Sequence, residues 1–216
     1  MYWNTISEVL RDSLVLLMNA TEFSQFRLVG GTSLSLQIGH RMSIDIDLFT
    51  DSPYGTVNFD TIENFLSGHF NYVDTSALGL LPGMGCSYFV GFSMNNSIKL
   101  DIYYTDSFIQ PPIVIDHIRM ATIEEIIAMK IDVVSRGGRK KDFWDIHELL
   151  TSYSISEMLA LHEQRYPYSH DKKQIITNFY DFENADNDFE PICLKGKYWE
   201  LIKLDIINAL NENSEI

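Results

Sequence analysis

Residues 43–49 read SIDIDLF, and apolar and acidic side chains alternate from position 44 to position 48. Successive side chains of a β-strand point to opposite faces, so this period of two predicts a strand. One face is apolar and can join a core, whereas Asp45 and Asp47 share the other face with Cβ atoms about 7 Å apart. Carboxylates at this spacing repel each other unless a cation lies between them, and Mg²⁺ prefers carboxylate and phosphate oxygens. The alternative is a half-exposed strand whose acidic face only meets water.

A glycine turn precedes this strand. Gly30 and Gly31 lie between a short apolar strand and a predicted helix that begins at Thr32. Glycine lets the backbone approach a ligand closely, and the first turn of a helix offers unpaired N–H groups and the positive end of its dipole. The turn therefore predicts a phosphate site, to which Thr32 could add a hydroxyl donor, although Gly-Gly also occurs in plain tight turns. Fourteen positions separate Gly31 from Asp45, enough for a helix that returns to the same end of the sheet.

The remaining pattern predicts further helices and strands. Apolar residues at helical spacing indicate an amphipathic helix in the first twenty residues, and a capping box at Thr122 with a stop at Gly137-Gly138 bounds another helix. We therefore predict an α/β (α+β) fold with a core over residues 1–150 and a helical C-terminal extension over residues 151–216. The predicted strands cover residues 26–29, 44–49 and 97–104, with glycine-broken strands between 77 and 93, and the other helices cover residues 32–38, 60–66, 141–150, 155–165, 170–180 and 197–211, with an acidic loop before the last.

The segments GGTSL (residues 30–34) and GHRMSIDIDLF (residues 39–49) resemble the opening motif of the AbiEii-type nucleotidyltransferases. That family belongs to the polymerase-beta-like nucleotidyltransferase superfamily and includes toxins of bacterial toxin–antitoxin and abortive-infection systems. Its glycine–serine pair corresponds here to Gly31-Thr32, which keeps the hydroxyl. The resemblance implies a mixed sheet flanked by helices as the catalytic core, and it leaves the C-terminal extension unmatched.

The resemblance also implies a third metal-binding carboxylate on a neighbouring strand. In the predicted strand 97–104, Lys99, Asp101 and Tyr103 share one face, and aliphatic side chains share the other. Asp101 is therefore the candidate that completes the acidic set, and Lys99 beside it is a further candidate. The alternative is an aspartate on the outer face of the strand that is only solvated.

Lys130 falls inside the apolar stripe of the helix predicted after Thr122. Burial of an unpaired ammonium costs several kcal/mol, so Lys130 must either extend outward to water or meet an anion. That anion would be a nucleotide phosphate, Asp142 or Asp145. The resemblance implies that a helical lysine and a later aspartate belong to the active site, which assigns Lys130 and Asp142, with Asp145 as the competing aspartate. The alternative is that Asp142 caps its helix and residues 139–141 are solvated.

The resemblance implies transfer of a nucleoside monophosphate from a nucleoside triphosphate to an acceptor hydroxyl, with Mg²⁺ or Mn²⁺ as cofactor. Asp45, Asp47 and Asp101 would hold the metal, which activates the acceptor and neutralises the departing pyrophosphate. The resemblance favours tRNA as the acceptor, gripped by basic residues of the segment 136–141, and an antitoxin protein as a further partner. The base of the nucleotide stays open. The residues predicted to contact the nucleotide are Gly30, Gly31, Thr32, Arg41, Ser43 and Lys130, with Arg139 as a further candidate and with Arg41 also able to pair with a carboxylate.

The chain carries 16 basic and 30 acidic residues and a net charge of −14. This charge argues against binding along extended duplex DNA, because phosphate neutralisation supplies most of such affinity, and it favours a small-molecule or protein acceptor over extended RNA. Cys86 and Cys193 lack metal-ligand spacing and are predicted to be free thiols in a reducing cytosol. No basic start followed by an apolar run is present, and the longest apolar run, residues 14–18, is too short for a bilayer. We predict a cytoplasmic protein.

Three other functions fit the same residues. A metal-dependent phosphodiesterase could use the same carboxylates, although His40, His117 and His147 stand singly without metal-ligand spacing. A non-catalytic partner module would retain the fold, although unused clustered acids cost stability through repulsion. A small-molecule nucleotidyltransferase would modify an antibiotic or metabolite. Hydrolysis without triphosphate would indicate the phosphodiesterase, and failure to bind Mg²⁺–triphosphate would indicate the non-catalytic module. Label on a small molecule would indicate the small-molecule nucleotidyltransferase.

Overall fold

The alternating segment forms strand β2, Asp45–Thr50, in the computed structural model of the chain, which describes residues 1–74 and 83–213. The other strands are β1 (Arg27–Leu28), β3 (Tyr72–Asp74), β4 (Gly85–Ser93), β5 (Asn96–Tyr104), β6 (Ile113–Ile115) and β7 (Ile118–Met120). In this part of the chain, the strands form a seven-stranded mixed sheet with the order β3-β4-β5-β2-β1-β7-β6. Strand β2 pairs in parallel with β5 and antiparallel with β1, so both of its edges are covered.

The apolar face of the sheet forms the core of the first of two compact units, which comprises residues 1–39 and 43–121. Ile46 and Leu48 of β2 are fully buried there, and helix α1 (Glu8–Asn19) packs against this face with leucines at helical spacing. Burial of each such side chain contributes about 1.5–3 kcal/mol. The side chain of Ser7 accepts a hydrogen bond from Leu10 N and so caps the first turn of α1.

Helix α2, Gly30–Ile38, begins two residues before the predicted start at Thr32. Its first residue, Gly30, has a φ of +67°, which places the glycine turn itself at the start of the helix. Gly39, with a φ of +68°, ends the helix as predicted. Helix α3, Phe59–His69, extends beyond the predicted range at both ends.

The second compact unit comprises residues 40–42 and the chain from Thr122 onward. The segment 40–42 pairs with residues 192–194 as a short antiparallel bridge, in which Met42 N donates to Ile192 O and Leu194 N donates to His40 O. The helices of this unit are α4 (Ile123–Val134), α5 (Lys140–Leu149), α6 (Ile155–Arg165), α7 (Lys172–Phe179), α8 (Glu183–Asp186) and α9 (Trp199–Asn213).

Aromatic rings fill the interior of this second unit. The ring of Phe143 lies 4.9 Å from that of Phe182 and 6.1 Å from that of Trp199, as measured between centroids. Glu125, predicted to take part in a capping box, is fully buried and its carboxylate pairs with Arg165, while Thr122 caps α4 by accepting from Glu125 N. Buried ion pairs therefore accompany the aromatic core.

The predicted mixed sheet flanked by helices, with a helical C-terminal region, is confirmed. The short strands β3, β6 and β7 were not predicted, because three residues are too few to show a period of two. The loop predicted between 181 and 190 contains α8, and part of the glycine-broken segment 77–93 lies outside the described residues. The functional boundary near residue 151 stays a prediction.

Two further observations concern the whole described chain. Cys86 and Cys193 are free thiols. No helix within residues 1–74 and 83–213 is long and apolar enough to cross a membrane.

Candidate active site

The acidic face of β2 lies directly beside the outer face of β5. In the parallel register of these strands, Asp45 is paired with Lys99 and Asp47 is paired with Asp101. Side chains at paired positions of neighbouring strands share one face of the sheet, about 5 Å apart. The fold thus brings the three predicted carboxylates and Lys99 together on one surface, which we call the acidic face.

Lys99 and Asp101 form an ion pair within the acidic face, between Lys99 Nζ and Asp101 Oδ2. Burial lowers the pKa of Lys99, but its hydrogen bond to Asp101 and the charges of Asp101, Asp45 and Asp47 outweigh burial and raise that pKa above its ordinary value. The other carboxylate oxygen, Asp101 Oδ1, is buried and has no hydrogen-bond partner among the described residues. A buried carboxylate oxygen without a partner is costly, so this oxygen is available to a ligand.

The glycine turn lies against the carboxylate of Asp47. Val29 N donates a hydrogen bond to Asp47 O over 2.9 Å, which fixes the entry of the chain into α2. A Cβ atom added to Gly30 would lie only 2.6 Å from Asp47 Oδ2. The close approach and the positive φ both require glycine at this position. The first turn of α2, with its unpaired N–H groups, is therefore adjacent to the acidic face.

Alanine at Gly30 is expected to lower the free energy of unfolding by about 2–4 kcal/mol, because it adds a steric clash to the strain of a positive φ. Gly55 supplies the matched control, since it has a φ of +82° but no atom within 4 Å of an added Cβ. Gly55→Ala should lower the free energy of unfolding only by the strain of the positive φ, about 1–2 kcal/mol. Urea unfolding of both variants measures the difference. Equal losses would show that Asp47 does not crowd residue 30.

The hydroxyl of Thr32 is used inside the protein. It donates to the backbone carbonyl of Asp45 and lies 2.7 Å from Ser43 Oγ, and both hydroxyl residues are buried. These bonds tie the first turn of α2 to the start of β2. The contact of Thr32 and Ser43 with a nucleotide stays a prediction. The backbone N–H groups of the turn lie at the positive end of the helix dipole, where an anion is favoured.

Two residues beside Asp101 did not enter the predicted site. Ser87 of β4 is paired with Asp101 in the antiparallel register, and its Oγ lies 2.9 Å from the hydroxyl of Tyr103. The ring of Tyr103 makes an edge contact with Phe49, with 6.1 Å between centroids. The period of two along β5 places Tyr103 on the acidic face, whereas the position of Ser87 depends on a strand register that no local pattern reveals.

Four other predicted residues, Arg41, Lys130, Asp142 and Asp145, meet in a buried charge cluster of the second unit, together with His40, which was not a predicted site residue. Lys130 is 6% exposed, and its Nζ lies 2.6 Å from Asp142 Oδ1 and 2.7 Å from Asp145 Oδ2. The prediction that Lys130 meets an anion is confirmed, and the alternative of an outward lysine is wrong. Both aspartates contact it, because they stand three residues apart on one side of α5.

Arg41 and His40 also contact the carboxylate of Asp145. Arg41 Nε donates to Asp145 Oδ1 over 2.6 Å and Arg41 Nη2 donates to Oδ2 over 2.8 Å, a two-pronged pair, and His40 Nε2 lies 2.7 Å from Oδ1. Burial raises the pKa of Asp145, but the charges of Arg41 and Lys130 outweigh it and hold that pKa well below its ordinary value. Arg41 thus pairs with a carboxylate, that of Asp145.

Asp142 has two partners. Its Oδ1 meets Lys130, and its Oδ2 accepts a hydrogen bond from Arg139 N over 3.1 Å, so Asp142 also caps α5. The Arg139 side chain is 63% exposed, as the alternative predicted. Lys140, in contrast, is buried, with its Nζ 5.6 Å from the centre of the Trp199 ring. The interpretation of residues 139–141 as uniformly solvated is therefore wrong.

A family model described as nucleotidyl transferase AbiEii toxin, type IV toxin–antitoxin system, matches residues 13–212. An uncharacterized protein of Aquifex aeolicus is 26% identical over 210 residues, covering 89% of this chain and 90% of the relative.

Two solved structures share the fold. MenT4, the nucleotidyltransferase toxin Rv2826c from Mycobacterium tuberculosis, superposes with a TM-score of 0.60 at 14% identity, covering 96% of this chain and 82% of that chain. JHP933 from Helicobacter pylori superposes with a TM-score of 0.59 at 20% identity, covering 96% and 92%. Since the family model spans most of the sequence, the chain belongs to the AbiEii family of nucleotidyltransferase toxins from type IV toxin–antitoxin systems.

Proposed function

We propose that this nucleotidyltransferase transfers a nucleoside monophosphate from a nucleoside triphosphate to an acceptor hydroxyl on the acidic face, with divalent metal held by Asp45, Asp47 and Asp101. Nucleotidyl transfer itself follows from the family to which the chain belongs. The register that pairs Asp47 with Asp101 is the observation that supports the acidic face as the location of the reaction and the three aspartates as the metal ligands. The glycine turn at Gly30 supports a phosphate site directly beside them.

The chemistry of the donors fits a hard divalent cation. Asp101 Oδ1 is buried without a hydrogen-bond partner in the described chain, and the neighbouring carboxylates supply further oxygens. Across residues 1–74 and 83–213, no three His, Cys, Asp or Glu side chains form a ready ligand set. Mg²⁺ commonly completes its coordination with water and substrate phosphates, so a full protein cage is not required. Bound there, Mg²⁺ or Mn²⁺ would supply charge neutralisation and lower the pKa of the acceptor hydroxyl.

The residues of the chain would act by position and charge. The N–H groups of the first turn of α2, at Gly30, Gly31 and Thr32, would donate to the phosphates at the positive end of the helix dipole. The acidic face would orient the reacting groups for in-line transfer, which needs no covalent protein nucleophile. Ser43 keeps its predicted role at the nucleotide as part of this proposal. The predicted roles of Arg41, Lys130, Asp142 and Arg139, with Asp145 as the competing aspartate, stay predictions for the second unit.

The acceptor that we propose is tRNA or a comparable RNA end. Arg136 and Arg139 are strongly exposed, with side chains 68% and 63% accessible, and offer a short basic surface beside α5. A small-molecule acceptor is the second candidate, because the net charge of −14 disfavours long RNA contacts. The type IV toxin–antitoxin context of the family adds an antitoxin as the partner that opposes the enzyme.

The test is label transfer from each of the four α-³²P nucleoside triphosphates to purified tRNA, total RNA and small-molecule extracts. With Mg²⁺ or Mn²⁺, we expect label on one acceptor class. With EDTA, label should fall to background, and excess Mg²⁺ should restore it. Equal labelling with and without EDTA would contradict the metal dependence. Hydrolysis of nucleic acid without any triphosphate would instead favour a phosphodiesterase.

A further inference from the structure

Lys99 holds a central position on the acidic face. It stands opposite Asp45 in the parallel register and two residues before Asp101 on its own strand, and its ammonium pairs with Asp101 Oδ2. The ammonium offsets negative charge on this face, as a divalent cation bound there would also do. Lys99 therefore already provides part of the neutralisation that a metal would provide.

Lys99 and a metal cannot each bind both carboxylate oxygens of Asp101. The ammonium takes Oδ2, so only Oδ1 lacks a hydrogen-bond partner in the described chain. A divalent cation bound at these carboxylates would also repel the ammonium. The Lys99 side chain is 32% exposed and sits on a flexible four-carbon stem, so it can turn away from Asp101 without unfolding the strand.

We propose that Lys99 is a resident counter-cation, which competes with free metal for Asp101 and moves to the triphosphate when nucleotide and metal bind together. This inference rests on the proposed function for its nucleotide step. Free metal then binds weakly, because it must displace the ammonium, and metal with triphosphate binds tightly, because the phosphates accept the released ammonium. By linkage, metal and triphosphate raise each other's affinity by the same factor, and Lys99 carries part of that factor.

The experiment measures Mn²⁺ binding to the full chain by electron paramagnetic resonance, without nucleotide. Lys99→Met removes the charge and keeps most of the stem, and it should bind Mn²⁺ at least about tenfold more tightly than wild type. Lys99→Arg retains the charge and should bind Mn²⁺ as weakly as wild type. Lys203→Met, which removes an ammonium paired with Asp186 in the second unit, is the matched control and should not change Mn²⁺ affinity.

A second measurement adds non-transferable α,β-methylene triphosphates. The analogue should strongly raise the Mn²⁺ affinity of wild type. In Lys99→Met, the factor by which the analogue raises the Mn²⁺ affinity should be about tenfold smaller. Circular dichroism checks each fold, and Lys99→Gln replaces Lys99→Met if the latter does not fold. Unchanged or weaker Mn²⁺ binding by the neutral variants would overturn the proposal, even where transfer activity is found. Tighter binding by them without any label transfer would uphold the counter-cation and contradict only the proposed function.

Discussion

Asparagine at Asp47 is expected to lower the rate of nucleotide transfer by about 10³-fold. Asp47 lies opposite Asp101 and against the glycine turn, so its carboxylate would contact both the metal and the phosphate site. Loss of one metal-binding charge removes several kcal/mol of transition-state stabilisation, and each 1.4 kcal/mol corresponds to about tenfold in rate.

The control for this variant is Asp60→Asn. Asp60 is an exposed carboxylate in the first turn of α3, so its replacement changes the net charge equally without touching the acidic face. Label transfer by Asp60→Asn should match wild type. Transfer by Asp47→Asn above about one tenth of the wild-type rate would contradict a metal-binding role for Asp47. A large loss of stability in Asp47→Asn would mean that the carboxylate serves the fold instead.

Local periodicity predicted which side of each strand is acidic, because the alternation of side chains along a strand is a property of the backbone. It could not predict that β5 lies beside β2 in parallel, nor that Asp47 rather than Asp45 faces Asp101. That register depends on the packing of the whole apolar face against α1 and on the covering of β5 by β4. The pairing of Lys99 with Asp101 does not depend on that register, because the two residues stand two positions apart on one face of the same strand.

The buried charge cluster shows a second limit of sequence interpretation. The apolar stripe of α4 indicated that Lys130 needs an anion, and the spacing in α5 offered two. The contribution of Arg41 was not accessible, because it comes from a segment more than a hundred positions away from Asp145. Long-range ion pairs of this kind leave no periodic signal in either partner.

Asparagine at Asp145 is expected to lower the free energy of unfolding of the second unit by about 3–5 kcal/mol. The substitution removes the two-pronged ion pair between Asp145 and the buried guanidinium of Arg41 and one of the two carboxylates that contact Lys130, and breaking a buried ion pair from one side is strongly destabilising. Urea unfolding followed by tryptophan fluorescence would measure the loss, since Trp144 and Trp199 both lie in this unit. Asp205→Asn is the matched control, because Asp205 pairs with His147 at a 56% exposed position and should change stability by less than about 0.5 kcal/mol.

Acid should erase the difference between wild type and Asp145→Asn. The pKa of Asp145 lies well below its ordinary value of 3.8 in the folded protein, so its contribution is complete above pH 3.8 and is lost as the pH falls through the lowered pKa. The gap in unfolding free energy should therefore be constant from neutral pH to about pH 5 and shrink only in strong acid. A gap that already closes near pH 6 would contradict a lowered pKa of Asp145. A variant that keeps full stability but loses transfer would instead make Asp145, rather than Asp142, the aspartate of the active site.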